Sequence, residues 1–274
     1  MAVTLQPATT KTTKTSRDAN AASAAAKIKS AQDIDKYLKM CLYARNKVGK
    51  TVFACSSKMK TLVIDFNEHG YDSVQHRPNV DIYEAARWDD IDPIFWHLRG
   101  GKHDYKVLVL DTCTMMAAVG MKWVLKDDYD RDMSRDPLTP ARQSYLKLGE
   151  MLSDAFIKFR NLPMHVIFCC QEKTSTEEDE EGNTLMETHP ELSPKPRSVL
   201  LSATNLNARM YVAEAELQGK KVMERRLLLG PRPKYVSGGR FPQLKAIERL
   251  KPEPYPNLQN ILDRIYGEPN ASQG

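Results

Sequence analysis

Between residues 39 and 170 the chain alternates short apolar runs with longer stretches in which apolar side chains recur every three or four positions. The runs KMCLYA (39–44), TLVIDF (61–66), VDIYEA (80–85), KVLVLDT (106–112) and HVIFCC (165–170) have strand length. All but the third are nearly continuously apolar, the pattern of strands covered on both faces. Between them, 50–59, 89–99 and 141–160 carry helical spacing. In the last, Tyr145, Leu148, Leu152, Ala155, Phe156 and Phe159 fall along one face. Strands alternating with helices predict an α/β fold with a mainly parallel sheet and helices on both faces. Past residue 206 the pattern changes. NARMYVAEAEL (207–217) and KVMERRLLLG (221–230), joined around Gly219, predict a C-terminal antiparallel hairpin at the sheet edge.

The two ends read differently. Residues 1–32 are rich in Thr, Ala, Ser and Lys and nearly devoid of large apolar side chains. They bury too little to offset their ordering entropy, so 1–33 is expected to be a disordered tail. Its few basic residues could brush a phosphate backbone; a solubilising tail is the plainer reading. From 251 the chain reads as a proline-rich linker, one short amphipathic helix and a frayed end at 274. A single α/β domain over 34–250 lies between. At 41% hydrophobic and 27% charged residues the composition is ordinary, and a net charge of +5 only hints at a polyanionic partner. No apolar run approaches the roughly 20 residues that span a bilayer, and the N-terminus lacks a signal-peptide h-region. The five cysteines, at 41, 55, 113, 169 and 170, have no zinc spacing, and four lie in apolar segments. Buried, reduced thiols and a cytoplasmic protein without membrane attachment are expected.

The chemistry concentrates in LYARNKVGKTVFA, 42–54. Gly49, Lys50 and Thr51 follow an apolar strand and open a predicted helix, as in a phosphate-binding loop. There, backbone N–H groups face the nucleotide, lysine reaches the outer phosphates and the threonine hydroxyl meets Mg²⁺. The nucleotide-binding stretch is thus Arg45, Asn46, Lys47, Val48, Gly49, Lys50 and Thr51. The pattern G-x-x-x-x-G-K-[ST] wants glycine at 44, where this chain has Ala44. That swap costs little at negative φ and roughly 1–2 kcal/mol at positive φ. Asp111 ends a buried strand, where an open α/β sheet binds ligands and a P-loop enzyme keeps its Mg²⁺-orienting acid. A helix-capping aspartate is the plain alternative. Gln171 lies just past the next apolar strand, within reach of a γ-phosphate.

The order LYARNKVGKT, LVIDFNEHG, YKVLVLDTCT, HVIFCCQE resembles the RecA-like P-loop ATPases, most closely the phage-encoded single-strand annealing or recombination ATPases, over roughly 38–248. The resemblance implies a RecA-like P-loop NTPase core that uses ATP and Mg²⁺. Lys50 would bind phosphate, Thr51 and Asp111 would hold the metal, Glu68 would activate the attacking water, and Gln171 would sense the γ-phosphate. It implies a basic finger, Lys234 and Arg240 in KYVSGGRF (234–241), reaching a neighbouring subunit's site; a Gly-rich basic turn is the plain alternative. It also places a second DNA-binding loop at 172–197, with Lys173, Lys195 and Arg197 as contacts, although its acidic centre repels phosphate. A first DNA loop would fall near 126–140. Trp88, Trp96 and Trp123 could stack bases, with core or lid packing the plainer role.

The leading expectation is therefore an oligomeric ATPase, ring or filament, that binds single-stranded DNA and promotes annealing or recombination. A single-strand-binding protein is a further candidate partner. The competing expectation is a nucleotide-regulated loader or partner-binding module with little turnover. A small-molecule kinase is disfavoured because no Arg-rich lid is evident.

Overall fold

The computed structural model describes residues 23–25, 28, 30, 36–178, 184–217 and 219–267. The predicted N-terminal tail and frayed C-terminal end lie almost wholly outside these residues. Met1–Lys36 forms a separate unit, of which 23–25 are helical.

In the main unit, Tyr37–Gly274, β1 (Lys39–Ala44), β2 (Thr61–Asp65), β4 (Val107–Asp111) and the first half of β5 (His165–Glu178) are the predicted buried strands. With β3 (Val80–Glu84) they form a parallel array in the order β1-β5-β4-β2-β3. β7 (Leu206–Leu217) joins the far side of β1, also parallel, and β8 (Lys220–Leu228) folds back on β7 as the predicted hairpin. The hairpin is not the sheet edge: the short β10 (Ile247–Arg249) pairs outside it, and β9 (Gly238–Gly239) adds to β7.

Successive strand residues point to opposite faces, so the continuous apolar runs feed two cores. Cys41, Tyr43, Leu62, Ile64, Leu108, Leu110 and Phe168 pack beneath α2 (Ile91–Arg99), α3 (Cys113–Arg131), α4 (Arg142–Arg160) and α5 (Pro194–Ala203). Met40, Leu42, Val63, Val109 and Ile167 pack beneath α1 (Lys50–Ala54) and α6 (Asn257–Tyr266). The C-terminal helix thereby buries Leu258, Ile261, Leu262 and Ile265 in the main core. The fold is α/β, with a mostly parallel central sheet and antiparallel C-terminal strands.

Three further expectations change. The helix predicted over 50–59 stops at Ala54. The segment near 126–140 is helical through Arg131, so the expected first DNA loop shrinks to the α3–α4 connection. Residues 172–197 are not a loop. β5 continues to Glu178 and pairs antiparallel with β6 (Thr184–Pro190), and α5 begins at Pro194. Alternating Thr and Ser in EKTSTEE suit an exposed two-stranded ribbon, and register pairing from Glu172–Pro190 to Glu178–Thr184 stabilises it.

Candidate nucleotide site

The parallel array β1-β5-β4-β2-β3 has its carboxyl edge on one side, and there the chain encloses a cavity of about 610 Å³. One wall is the turn leaving β1. Gly49 has φ +109° and ψ 31°, a left-handed conformation that glycine adopts without a Cβ penalty. Ala44 is a fully buried strand residue. The non-glycine residues at positive φ among the described ones are Lys47, Asn67 and His69, so alanine at 44 carries no backbone strain. Asn46, Lys47, Gly49, Lys50 and Thr51 line the cavity. Arg45 does not. Its side chain is 81% exposed and its Nε donates to Glu172 Oε1 at 3.1 Å, with Arg209 Nε donating to the same carboxylate at 2.9 Å. Val48 packs toward the core below and offers its carbonyl upward.

Lys50 is 6% exposed. Its ammonium donates to Gln171 Oε1 at 3.0 Å and to the carbonyls of Arg45 and Ala44 at 3.3 and 3.4 Å. Gln171, at the end of the β1–β5 pairing, donates from Nε2 to Glu68 Oε1. Lys50, Gln171 and Glu68, far apart in sequence, thus form one hydrogen-bonded chain along the cavity. Glu68 Oε2 is buried without a protein partner among the described residues.

The turn after β2 sets this geometry. Burial raises the Asp65 carboxyl, 1% exposed, above the ordinary carboxyl value, while the backbone N–H groups of His69, Glu68 and Gly70 in this turn oppose the rise. Asp65 Oδ1, like Glu68 Oε2, is buried without a partner among the described residues, and of the two acids Glu68 is the one bonded to Gln171.

On the opposite wall Thr51 Oγ1 donates to Asp111 Oδ2 at 2.6 Å. Asp111 is 2% exposed, and burial raises its carboxyl to about 6; the Glu68 and Asp65 carboxylates add to the rise, while the Thr51 hydroxyl and Lys50 oppose it. The capping alternative falls to its neighbour: the side chain of Thr112, not Asp111, accepts the Met115 N–H at the start of α3. A hydroxyl and a carboxylate are hard oxygen donors of the kind Mg²⁺ takes, and the orphaned Glu68 oxygen nearby suits a cation or its water. The residues present fit a divalent cation between Thr51 and Asp111.

The candidates for other roles lie elsewhere. Lys173 is exposed on the β5 ribbon, opposite His189. Lys195 pairs with Glu150, and Arg197 places Nη1 2.6 Å from the buried His189 ring, so both already have partners within the chain. Lys234 and Arg240 are exposed on a segment tied down by its backbone: Thr188 donates to the Lys234 carbonyl at 2.8 Å, and Arg240 donates to the Asn205 carbonyl at 3.0 Å. Trp88 and Trp123 pack against the upper core, whereas Trp96 is 62% exposed.

Three contributors to the cavity escape a reading of the sequence. Gly70 comes so close that a Cβ there would lie 2.8 Å from Asp111 Oδ2 and 2.9 Å from Thr51 Oγ1. His69, at φ 52°, turns into the lining and meets the Tyr71 hydroxyl at 2.9 Å. Arg225 of β8 overhangs the loop and donates from Nε to the Val48 carbonyl at 2.7 Å. Only the His-Gly pair after a strand offered any signal.

The AAA domain family profile matches residues 36–241, three quarters of the chain, spanning every residue of this cavity. No curated protein matches the chain. Among the described residues no helix is long and apolar enough to cross a membrane.

Proposed function

The chain belongs to the AAA-domain family, with a P-loop ATPase-type fold, and on that premise we propose that it binds ATP with Mg²⁺ and hydrolyses it in this cavity. The observation that carries the reading is the hydrogen-bonded chain Lys50–Gln171–Glu68 facing the Thr51–Asp111 pair across one pocket. Lys50 exchanges its contacts with Gln171 and the loop carbonyls for the outer phosphates. Glu68 orients a water and accepts its proton, and Gln171 keeps Glu68 aimed while bonding Lys50. Thr51 and Asp111 would hold Mg²⁺, which when bound would supply charge neutralisation to the phosphates. Phosphoryl transfer needs mainly such positioning and electrostatics.

The finer reading is that hydrolysis serves single-stranded DNA annealing or recombination in a homo-oligomer. It is supported by the motif order, by the net charge of +5 and by exposed Lys234 and Arg240 on a pinned segment. The acidic run at 177–181 of the sequence favours a different contact, a protein partner, and so keeps the loader reading in play. ATP turnover measured with and without single-stranded DNA at several salt concentrations tests both. The DNA reading expects stimulation by DNA and binding that weakens with salt. Turnover indifferent to DNA favours the loader, and a wild type that binds no ATP, or a Lys50→Ala variant that binds it normally, overturns the nucleotide site itself.

A further inference from the structure

β1 ends at Ala44, but its neighbour β7 does not stop there. Tyr43 is level with Arg209, and β7 runs on to Leu217, paired throughout with β8. Some seven residues of hairpin therefore project past the carboxyl edge of the sheet beside the phosphate loop, a reach of about 23 Å.

One face of that hairpin is shared with α1. At its root Met210 and Leu227 are buried in the same core as Phe53 and Ala54 of α1. The next cross-strand pair on this face is Val212 with Arg225, and beyond it Met223 lies opposite Glu214. Burial ends at that point: Val212 is 43% exposed and Met223 68%. The face thus passes from core, to a cation over the loop, to an uncovered apolar strip.

Arg225 is held by one atom. Its Nε donates to the Val48 carbonyl, and a Cβ at Gly49 would touch that Nε at 3.2 Å. Among the described residues no hydrogen bond or ion pair engages its two terminal nitrogens, and the side chain lines the cavity with Gly49 and Lys50. A guanidinium anchored by Nε still presents a fork of N–H donors that matches a phosphate. Val212 is one cross-strand step away, about 5 Å between Cβ atoms. A thioether and a branched aliphatic side chain form a flat apolar bed of the kind an aromatic ring covers.

We propose that the β7–β8 hairpin is the second half of the nucleotide site: Arg225 binds the phosphate chain in cis, and Val212 with Met223 receives the nucleobase. This rests on the phosphate-loop reading above. The occupant is the base of the same nucleotide, because the strip begins at Val212, the cross-strand partner of Arg225, and Arg225 itself lines the cavity.

Titrations with Mg²⁺-ATP and with Mg²⁺-tripolyphosphate, which lacks ribose and base, test it on the full chain. The wild type is expected to bind ATP more tightly than tripolyphosphate. Val212→Ser with Met223→Ser, both exposed changes, should weaken ATP about tenfold and leave tripolyphosphate within about twofold. Arg225→Ala should weaken both ligands, with partial recovery in Arg225→Lys. Ligand-free melting curves check that the variants fold. If the double variant binds ATP like the wild type, the base lies elsewhere and the inference is overturned. It is equally overturned if the double variant changes the oligomer mass or the affinity for a single-stranded oligonucleotide while ATP binding is intact. Loss of both ligands in Lys50→Ala with no change in the hairpin variants leaves the phosphate loop standing and removes only the hairpin. A wild type that binds neither ligand overturns both readings together.

Discussion

Gly70→Ala places a single methyl group at the proposed metal position and nowhere else. Gly70 is not at positive φ, so alanine fits its backbone. The new Cβ would stand 2.8 Å from Asp111 Oδ2 and 2.9 Å from Thr51 Oγ1, about 0.6 Å inside the 3.4 Å at which ordinary contact begins. Neither neighbour yields freely. Asp111 is 2% exposed on a strand paired on both sides, and its carboxylate is bonded to the Thr51 hydroxyl at 2.6 Å. Overpacking of this kind costs about 1–3 kcal/mol. Relief comes from separating Thr51 from Asp111 or lifting the Gly70 turn, and either spoils a two-sided cation site. At about 1.4 kcal/mol per decade, the Mg²⁺ concentration giving half-maximal ATP turnover should rise roughly 10- to 100-fold. ATP binding in EDTA, which depends on Lys50 and the loop, should change less than about threefold. The melting temperature should fall by no more than about 2–4 °C per kcal/mol. A Gly70→Ala enzyme with wild-type turnover and an unchanged Mg²⁺ midpoint would refute the assignment of Thr51 and Asp111.

Glu68→Gln keeps the size of the side chain but removes the proton acceptor, so kcat should fall roughly 10²- to 10⁴-fold with ATP affinity retained; a wild-type rate transfers the role away from Glu68. Ala44→Gly should alter ATP affinity by less than tenfold, about 1.4 kcal/mol, since Ala44 is an unstrained strand residue; a larger change in an equilibrium titration contradicts that geometry. Mixing Lys50→Ala with Arg240→Glu subunits should restore some turnover if Arg240 works across an interface, and no recovery at any ratio removes that role. His165 Nδ1 accepts the Leu38 N–H at 2.9 Å, and burial, with Lys39 nearby, lowers its pKa from 6.5 to about 4. A depressed folded pKa stabilises above 6.5 and is lost as pH falls through about 4, so urea melts should show up to about 3 kcal/mol lost across that window. His165→Asn, whose amide oxygen can take the same N–H, should flatten the slope.

The four central parallel strands β1, β2, β4 and the first half of β5 were legible because each is buried on both faces and reads as a nearly unbroken apolar run. α3 was not. In TMMAAVGMKWVLKDDYDR the apolar side chains do not gather on one stripe, because Met116, Val119 and Val124 pack inward while Met115, Met121 and Trp123 are only partly covered by neighbouring elements. The β5–β6 ribbon was hidden for a different reason. Its strands are mostly polar, and backbone pairing across Glu172–Pro190 through Glu178–Thr184 makes it a ribbon. Read as composition, the same residues describe a charged loop. The basic side chains assigned to that loop met the same limit, since Glu150 and His189 engage Lys195 and Arg197 only once α4, β6 and α5 are assembled.

The candidate site divides along the same line. Gly49, Lys50 and Thr51 are adjacent in sequence because a phosphate group is smaller than one helical turn and must be met by consecutive residues. Asp111 and Gln171 are distant but each stands at the carboxyl end of a buried parallel run, Asp111 as the last residue of β4 and Gln171 where the β1–β5 pairing ends, and parallel strands deliver those ends to one crevice whatever their spacing. Those rules make the proposed phosphate and metal end readable from the chain alone. Arg225 obeys neither rule. It lies 177 positions from Val48, on the returning strand of an antiparallel hairpin, and its neighbours in sequence are Glu224 and Arg226. Its place over the loop follows from three register choices in succession: β7 against β1, β8 against β7, and the alternation that turns Arg225 rather than Arg226 toward α1. A one-residue slip in either pairing that involves β7 would exchange the faces and put Glu224 or Arg226 above Gly49 instead. The buried pair Met210 and Leu227 prevents that slip, since any other register would expose both side chains to water. The wall of the cavity is therefore specified by two apolar residues that never touch the cavity itself.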